Sequence, residues 1–273
     1  MSSFKNKTIF ITGASRGIGK AIALRFAKEE ANIVIAAKST EENPKLGGTI
    51  FSAAEEIEAA GGKALAVKTD IKNEDEIRNA VEEAINKFGG IDAVINNASA
   101  IQLSNTEQTE SKRFDLMHDI NVRGTFLVTR YCIPHLKKSG NAHILNLSPP
   151  ININIKWLAP HVAYTMSKYN MTMMALAWAE ELKKHNIAAN ALWPKTTIAT
   201  AAVKNLLGGE KLMNMSRIPK IIADAAYYIL NKPAAECNGN TFIDEDVLKA
   251  EGITDFEKYA VKPGAQLFTD LFL

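Results

Sequence analysis

The sequence has little cysteine, no long apolar run and no marked excess of charge of either sign. Two cysteines in 273 residues, Cys132 and Cys237, lie far apart and form no CxxC pair. That usage suits a reducing compartment better than a disulfide framework, and both are expected to be buried small hydrophobes. No stretch approaches the ~20 apolar residues of a membrane span, and residues 1–8 lack the apolar core of an export signal. Neither membrane insertion nor export is expected, and the location implied is cytoplasmic; the Asn-x-Ser/Thr triplets at Asn6 and Asn170 are then coincidental. The net charge of +2 is scattered, with no basic run longer than a pair such as Lys137-Lys138. A nucleic-acid partner needs a concentrated basic face, so none is expected. The five histidines show no HExxH or other ligand spacing and no Asp/Glu cluster suggests a metal, so no metal site is expected.

What is present is the composition of an ordinary globular protein with a sizeable core, 47% apolar and 23% charged. Short β-branched runs alternate with helical patterns. Strands are predicted over 8–12, 32–37, 64–68, 93–95, 143–147, 188–192 and 240–243. Helices are predicted over 17–30, 53–60, 74–88, 111–138, 163–184 and 222–230, the second and third closed by Gly61-Gly62 and Gly89-Gly90. Strands alternating with helices require right-handed crossovers, hence a mostly parallel sheet covered on both faces. No Pro/Ser/Gly linker divides the chain, so one α/β domain over 1–273 is expected: a Rossmann-like, doubly wound parallel sheet, with 244–273 packing on it as a C-terminal extension.

The first strand runs into Thr12-Gly13-Ala14-Ser15-Arg16-Gly17-Ile18-Gly19. Glycines there let the backbone turn tightly and approach a pyrophosphate, while the following helix offers free N–H groups and a positive dipole end. The spacing is GxxxGxG rather than GxGxxG, and an ordinary tight βα turn would look similar; its place between the first strand and first helix favours nucleotide binding. NAD-binding versions carry an acid after the second strand. This chain has Lys38 there and Arg16 in the turn, two cations suited to the extra phosphate of NADP; the alternative for Lys38 is a solvated loop residue.

Tyr164 and Lys168 lie four apart on a predicted helix and share one face. An ammonium ~4 Å from a tyrosinate, at an effective dielectric of ~20, attracts it by roughly 4 kcal/mol before desolvation. It could thereby lower a phenol with a pKa of about 10 toward neutrality for proton transfer. Tyr228 and Lys232 repeat the spacing, but on a late helix ending at Pro233, where Tyr228 is expected to be a packing residue.

Together these motifs make the chain resemble the short-chain dehydrogenase/reductase family along nearly its whole length. The matching elements are the Gly13/Gly17/Gly19 turn, Asp70 after the third strand, Asn96-Asn97-Ala98 after the fourth, Asn121 in Asn121-Val122-Arg123-Gly124, and Tyr164-x-x-x-Lys168. Within the family, residues 9–24, 31–38, 143–150, 190–196 and 221–227 resemble the hydroxysteroid dehydrogenase-like proteins, which usually carry a C-terminal sterol-carrier domain that is not found here. The resemblance implies NADP as cofactor, held by Gly13, Ala14, Ser15, Arg16, Gly17, Ile18, Gly19, Lys38, Asp70, Ile71, Asn97, Ala98, Tyr164, Lys168 and Pro194. Asp70 would bond the adenine, Asn97 would shape the floor beneath the cofactor, Lys168 would also hold the nicotinamide ribose, and Asn121 would anchor a water in a proton relay to Lys168. Tyr164 would be the acid/base, Lys168 its activator and Ser148 the orienter of a small-molecule carbonyl or alcohol substrate.

Two departures bear on activity. The family's catalytic serine ends a strand about thirteen residues before the tyrosine, whereas Ser148 precedes Tyr164 by sixteen and Pro149 takes the aligned place. Either Ser148 is swung inward by Pro149-Pro150, or that hydrogen bond is missing or comes from elsewhere; losing one such donor costs on the order of a hundredfold in rate. Trp193-Pro194-Lys195 replaces the usual Pro-Gly, and Lys195 either meets an acidic substrate group or is solvated. Ser99 replaces a glycine of the family motif, with a packing consequence at most. The reading is an NADP(H)-dependent oxidoreductase. The alternative is a catalytically weak NADP-binding protein with a regulatory or lipid-binding role. The apolar loop 196–215 would cap the pocket and points to an apolar, lipid-like substrate. The helix over 163–184, with Met171, Met173, Met174, Leu176 and Trp178, has more apolar surface than one sheet face covers. A homodimer or homotetramer through it and the helix over 111–138 is expected, unless 244–273 supplies the cover.

Overall fold

In a computed structural model, which describes residues 4–273, the β-branched runs assemble into one sheet of seven parallel strands. These are β1 (Thr8–Thr12), β2 (Asn32–Ala37), β3 (Lys63–Lys68), β4 (Ala93–Asn96), β5 (Ala142–Asn146), β6 (Ile187–Trp193) and β7 (Thr241–Ile243), in the order β3-β2-β1-β4-β5-β6-β7. The order reverses between β1 and β4, where a doubly wound sheet opens a crevice at its carboxyl edge. This is the Rossmann-like architecture expected.

The helices are α1 (Gly17–Ala27), α2 (Ile50–Ala59), α3 (Glu74–Phe88), α4 (Ser111–Met117), α5 (Thr125–Leu136), α6 (Ile155–Leu158), α7 (Val162–Glu181), α8 (Gly209–Asn214), α9 (Lys220–Asn231) and α10 (Asp244–Ala250). Strand side chains alternate between two cores. Ile9, Ile11, Ile33 and Ile35 pack with residues of α1, α2, α9 and α10, while Phe10 and Val34 pack with residues of α3, α5 and α7. Both faces are covered, which is why the strands read as continuous apolar runs instead of alternating ones.

Local chemistry explains where the helices start and stop. Asn73 accepts from the N–H groups of Asp75 and Glu76 to cap α3, three acids fill its first turn, and Gly89 closes it at φ +82°. A capping box between Thr49 and Ser52 starts α2 three residues earlier than its apolar pattern suggests. The long predicted helix over 111–138 ends at Leu136 and is interrupted: a π-helical stretch, His118–Gly124, joins α4 to α5. The loop 196–215 carries a π-helical turn at Val203–Leu207 and the short α8, neither evident from its pattern. Both cysteines are buried and free. At the decoy pair, Tyr228 packs edge-on against Tyr227 and the Lys232 ammonium pairs with Glu251 at 3.0 Å.

Candidate active site

The Gly-rich turn is locked to β4 by side chains. Asn97 donates from Nδ2 to the carbonyls of Thr12 (2.9 Å) and Gly13 (3.2 Å), while Thr12 Oγ1 accepts from the N–H groups of Asn97 and Ala98 at 3.0 Å each. A Cβ at Gly19 would stand 2.5 Å from Asn97 Nδ2 and 2.7 Å from the Gly13 carbonyl, so only glycine fits. Unlike α2 and α3, α1 has no side-chain cap, and unlike α3 it has no acid in its first turn. Its leading N–H groups and positive dipole end are thus left to an anion.

A cleft of about 500 Å³ opens over this turn, at the switch between β1 and β4. Gly13, Ser15, Arg16, Gly17, Ile18, Lys38, Asp70, Ile71, Asn97 and Ala98 line it, with Thr200 and Leu206 on the far wall. Ala14 is buried beneath it. Lys38 is exposed at the rim. Arg16 donates from Nη2 to the Gly48 carbonyl at 2.8 Å, and its Nε is buried without a partner. Partial burial lowers the Arg16 pKa below its usual value. Asp70 is braced by its neighbours, its N–H donating to Glu76 (2.7 Å) and its Oδ1 accepting from the Lys72 N–H (3.1 Å).

At the other half of the crevice, α7 is fastened to the end of β5 by a row of hydrogen bonds. Asn146 Nδ2 donates to the Met171 carbonyl at 2.8 Å, Lys168 Nζ donates to the Leu147 carbonyl, and Thr172 Oγ1 donates to the Pro149 carbonyl at 2.6 Å. Asn146 is itself held from β4 by Asn96 Nδ2 at 2.8 Å. The row buries Tyr164 and Lys168, 4% and 2% exposed, one turn apart on the same face.

Ser148 is buried beside this row, its Oγ 2.8 Å from Thr172 Oγ1. Thr172 Oγ1 directs its one hydroxyl proton to the Pro149 carbonyl or to Ser148 Oγ. The serine oxygen is therefore held one helical turn past Lys168, beside Thr172. Asn121 sits in the π-helical stretch, its Oδ1 accepting from the Ala100 N–H (2.8 Å) and its Nδ2 donating to the Ala100 carbonyl and to Ser167 Oγ, both at 2.9 Å. Ser167 in turn donates to the Tyr164 carbonyl, so Asn121 braces the turn of α7 that carries the pair. Pro194 is buried, and Lys195 is exposed with its N–H donated to Asp244 Oδ1 at 2.8 Å.

Several residues around the pair carry no motif. Asp270 is half-buried near Tyr164 and Lys168, its Oδ1 accepting from the Leu271 N–H at 2.7 Å. Phe272 is fully buried among Trp157, Tyr164, Tyr169 and Trp193. Burial dominates the electrostatics. It pushes the Lys168 ammonium down to about 7 against the opposing pull of Asp270, and pushes the Asp270 carboxyl up to about 7. The Tyr164 phenol is driven above its usual value by burial and by the Asp270 charge. The lowering expected from Lys168 does not appear, because burial and the Asp270 charge both act upward on the phenol.

A glycine-rich βα turn under an open cleft, with a buried Tyr-Lys pair across the switch point, defines a dinucleotide-binding Rossmann-like protein. Residues 7–210 match the family described as short chain dehydrogenase, and the chain belongs to that family. It is 59% identical over 266 residues to human hydroxysteroid dehydrogenase-like protein 2, covering 97% of this chain and 63% of that one. Against the rat protein of the same name the coverage is 50%, so the chain spans between half and two thirds of these relatives. Among solved structures, a Xanthomonas campestris protein superposes with TM-score 0.96 at 50% identity, covering 99% of this chain and 98% of its own. A short chain dehydrogenase from Mycobacterium thermoresistibile superposes with TM-score 0.94 at 54% identity, covering 99% and 96%. Among the described residues no helix is long and apolar enough to cross a membrane, and no cluster of side chains could hold a metal.

The half-buried acid gives a pH test. Asp270 holds its proton up to about 7 in the fold, against an ordinary 3.8, so the folded state resists ionisation and loses stability as pH rises from about 4 to 7. Asp270→Asn removes this term. The variant's gain in unfolding free energy over the parent, from urea titrations, is expected to grow across that window by up to about 1.4 kcal/mol per pH unit. A gap that does not change with pH would show that Asp270 ionises freely.

Proposed function

We propose that this chain catalyses NADP(H)-dependent interconversion of a carbonyl and an alcohol on an apolar small molecule. The observation that carries the reading is the Tyr164–Lys168 pair, buried on one face of α7 and tied to the end of β5 beside the cleft. The uncapped start of α1 and the Gly13–Gly19 turn suit a pyrophosphate. Asp70 suits the adenine, while Ile71, Asn97, Ala98 and Pro194 suit the floor and walls. Lys38 and Arg16 suit the phosphate that distinguishes NADP from NAD. The dinucleotide, when bound, supplies or accepts the hydride.

The chain's part is to move the proton and orient the substrate. With its pKa raised, the phenol is a proton donor at neutral pH, which favours reduction: Tyr164 gives its proton to the carbonyl oxygen as the carbon is reduced. Lys168, down to about 7, then relays a proton to the tyrosinate and, when charged, stabilises it. Asn121 keeps this turn of α7 in place. Ser148 accepts from Thr172 and keeps its own hydroxyl proton with which to orient a substrate oxygen. The apolar residues around Tyr164, including Ile101, Leu158 and Trp157, suit an apolar substrate and give a nucleic acid nothing to bind.

With purified protein and a panel of apolar ketones, NADPH consumption is expected, and Tyr164→Phe should lower it at least a thousandfold while leaving NADPH binding intact. No turnover on any ketone would favour a catalytically weak regulatory or lipid-binding protein instead.

Cofactor choice is tested separately. NADPH should bind at least tenfold more tightly than NADH, and Lys38→Asp should narrow or invert that preference in a titration of nucleotide fluorescence. Equal affinity in the parent would sink the assignment to NADP.

Assembly follows from α5 and α7. Their outer faces expose Phe126, Met166, Met173 and Leu176, with Met173 56% exposed, although Phe272 covers the Tyr164 side. We assign this face to a homodimer, or a homotetramer built from it. Light scattering at micromolar concentration should read at least twice the chain mass, and Met173→Lys should reduce it; a monomeric parent would refute the assignment.

A further inference from the structure

Tyr164 is covered by the chain itself. The cover is the end of the described segment, and its attachments change character at Asp270. Upstream, the backbone is paired: the Phe268 N–H donates to the Met215 carbonyl at 2.8 Å, the Phe268 carbonyl accepts from the Thr197 N–H at 3.0 Å, and the Asp270 N–H donates to the Lys195 carbonyl at 3.1 Å. Downstream, two side chains hold the backbone, Trp193 Nε1 donating to the Leu271 carbonyl at 2.9 Å and Asn152 Nδ2 to the Phe272 carbonyl at 3.1 Å. The remaining attachments are the half-buried Leu271 and Leu273, packed on the same aromatic cluster, and the Phe272 ring, whose centroid lies 5.3 Å from that of Tyr169, 5.9 Å from Trp193, 6.0 Å from Trp157 and 6.2 Å from Tyr164.

Two features oppose this closed position. Phe272 has φ +76°, a left-handed conformation that costs a bulky side chain energy. Asp270 is half-buried with its Oδ1 accepting from its neighbour's N–H, and a carboxyl so placed resists ionisation. A strained residue and a partly buried carboxyl both act against the closed position of this segment. The loop that carries Asn152 also exposes Ile151, Ile153 and Ile155, with Ile153 82% exposed, an apolar rim at the edge of the cover.

We propose that residues 271–273 are a displaceable plug hinged at Asp270, and that the slot occupied by the Phe272 ring is the site for the apolar ring of a flat cyclic or aromatic ketone. This rests on the reading of Tyr164 as proton donor. A six-membered ring in the slot would meet the same four aromatic faces and edges as Phe272 does, with its carbonyl directed to the Tyr164 phenol. The plug competes with substrate, so apparent affinity is reduced by the fraction of molecules that are closed.

The test uses 1-tetralone with the protein saturated with NADP+, which cannot reduce a ketone, so binding is read without turnover. Trp157 and Trp193 flank the slot and report through fluorescence. Phe272→Ala should bind 1-tetralone at least tenfold more tightly than the parent, and Phe272→Leu should fall between them. A folded Phe272→Ala that binds no more tightly overturns the proposal. Should that variant not fold, hydrogen exchange on the parent decides: saturating 1-tetralone should speed exchange over 271–273 at least tenfold, and unchanged or slower exchange overturns the plug. NADPH consumption with the same ketone is scored separately. Tighter binding without turnover in any variant would leave the plug standing and remove Tyr164 as proton donor.

Discussion

The seating of α7 on the carboxyl end of β5 is the constraint on which the site depends. Consecutive positions of the chain, Asn146, Leu147, Ser148 and Pro149, each engage one face of that helix, at Met171, Lys168 and Thr172. The sheet supplies these partners because β5 ends at Asn146, so the carbonyls that follow have no strand to bond. Pro150 biases Pro149 to an extended backbone, and the Pro149 carbonyl, beyond the end of β5, accepts from Thr172. Pro149 thus takes part in anchoring the helix that carries Tyr164 and Lys168.

Burying an ammonium is costly unless its protons are taken up. Lys168 has the Leu147 carbonyl at hydrogen-bond distance, the Met171 sulfur at 3.4 Å and the Trp193 ring at 5.2 Å. These soft partners replace water only in part, and the ammonium consequently titrates near 7. The acid close to it, Asp270, is raised by the same dryness to about 7. Low polarity around Tyr164 therefore sets the proton affinities of Lys168 and Asp270 together, and both respond to whether the site is dry. Admission of water or a polar ligand would relax them jointly.

The half of the site that was legible in the sequence is the half made by neighbours in the chain. Gly13, Gly17 and Gly19 sit within one turn, and Tyr164 and Lys168 within one turn of helix, so spacing alone exposes their geometry. The strand and helix order was legible for the same reason, each element having its own apolar period. Asp270 and Phe272 reach Tyr164 across about a hundred residues, and no local pattern ties them to it; an acid followed by Leu271-Phe272-Leu273 was the one available sign of a buried segment. The π-helical stretch at 118–124 escaped notice because its apolar pattern is compatible with an ordinary helix, while its register is set by Asn121 reaching Ala100 and Ser167. The placement of the Ser148 oxygen depended on Thr172, which has no motif of its own.

The two halves of the crevice differ because of what their residues leave unfilled. On the β1–β4 side, glycines withhold side chains, Asn97 spends its amide on the backbone of the turn, and α1 begins without a cap, so an open cleft with unsatisfied donors is built into the fold. On the β5–β7 side, Trp157 of α6, Tyr164 and Tyr169 of α7 and Trp193 at the end of β6 surround a slot one ring wide. Apolar walls at that spacing would be poorly hydrated if empty, and the fold fills the slot with its own Phe272. A charged, flexible dinucleotide can enter the first half with the observed backbone in place. An apolar ring can enter the second only by exchange with a side chain of comparable size, so selectivity for such a group is set by how well it replaces phenylalanine.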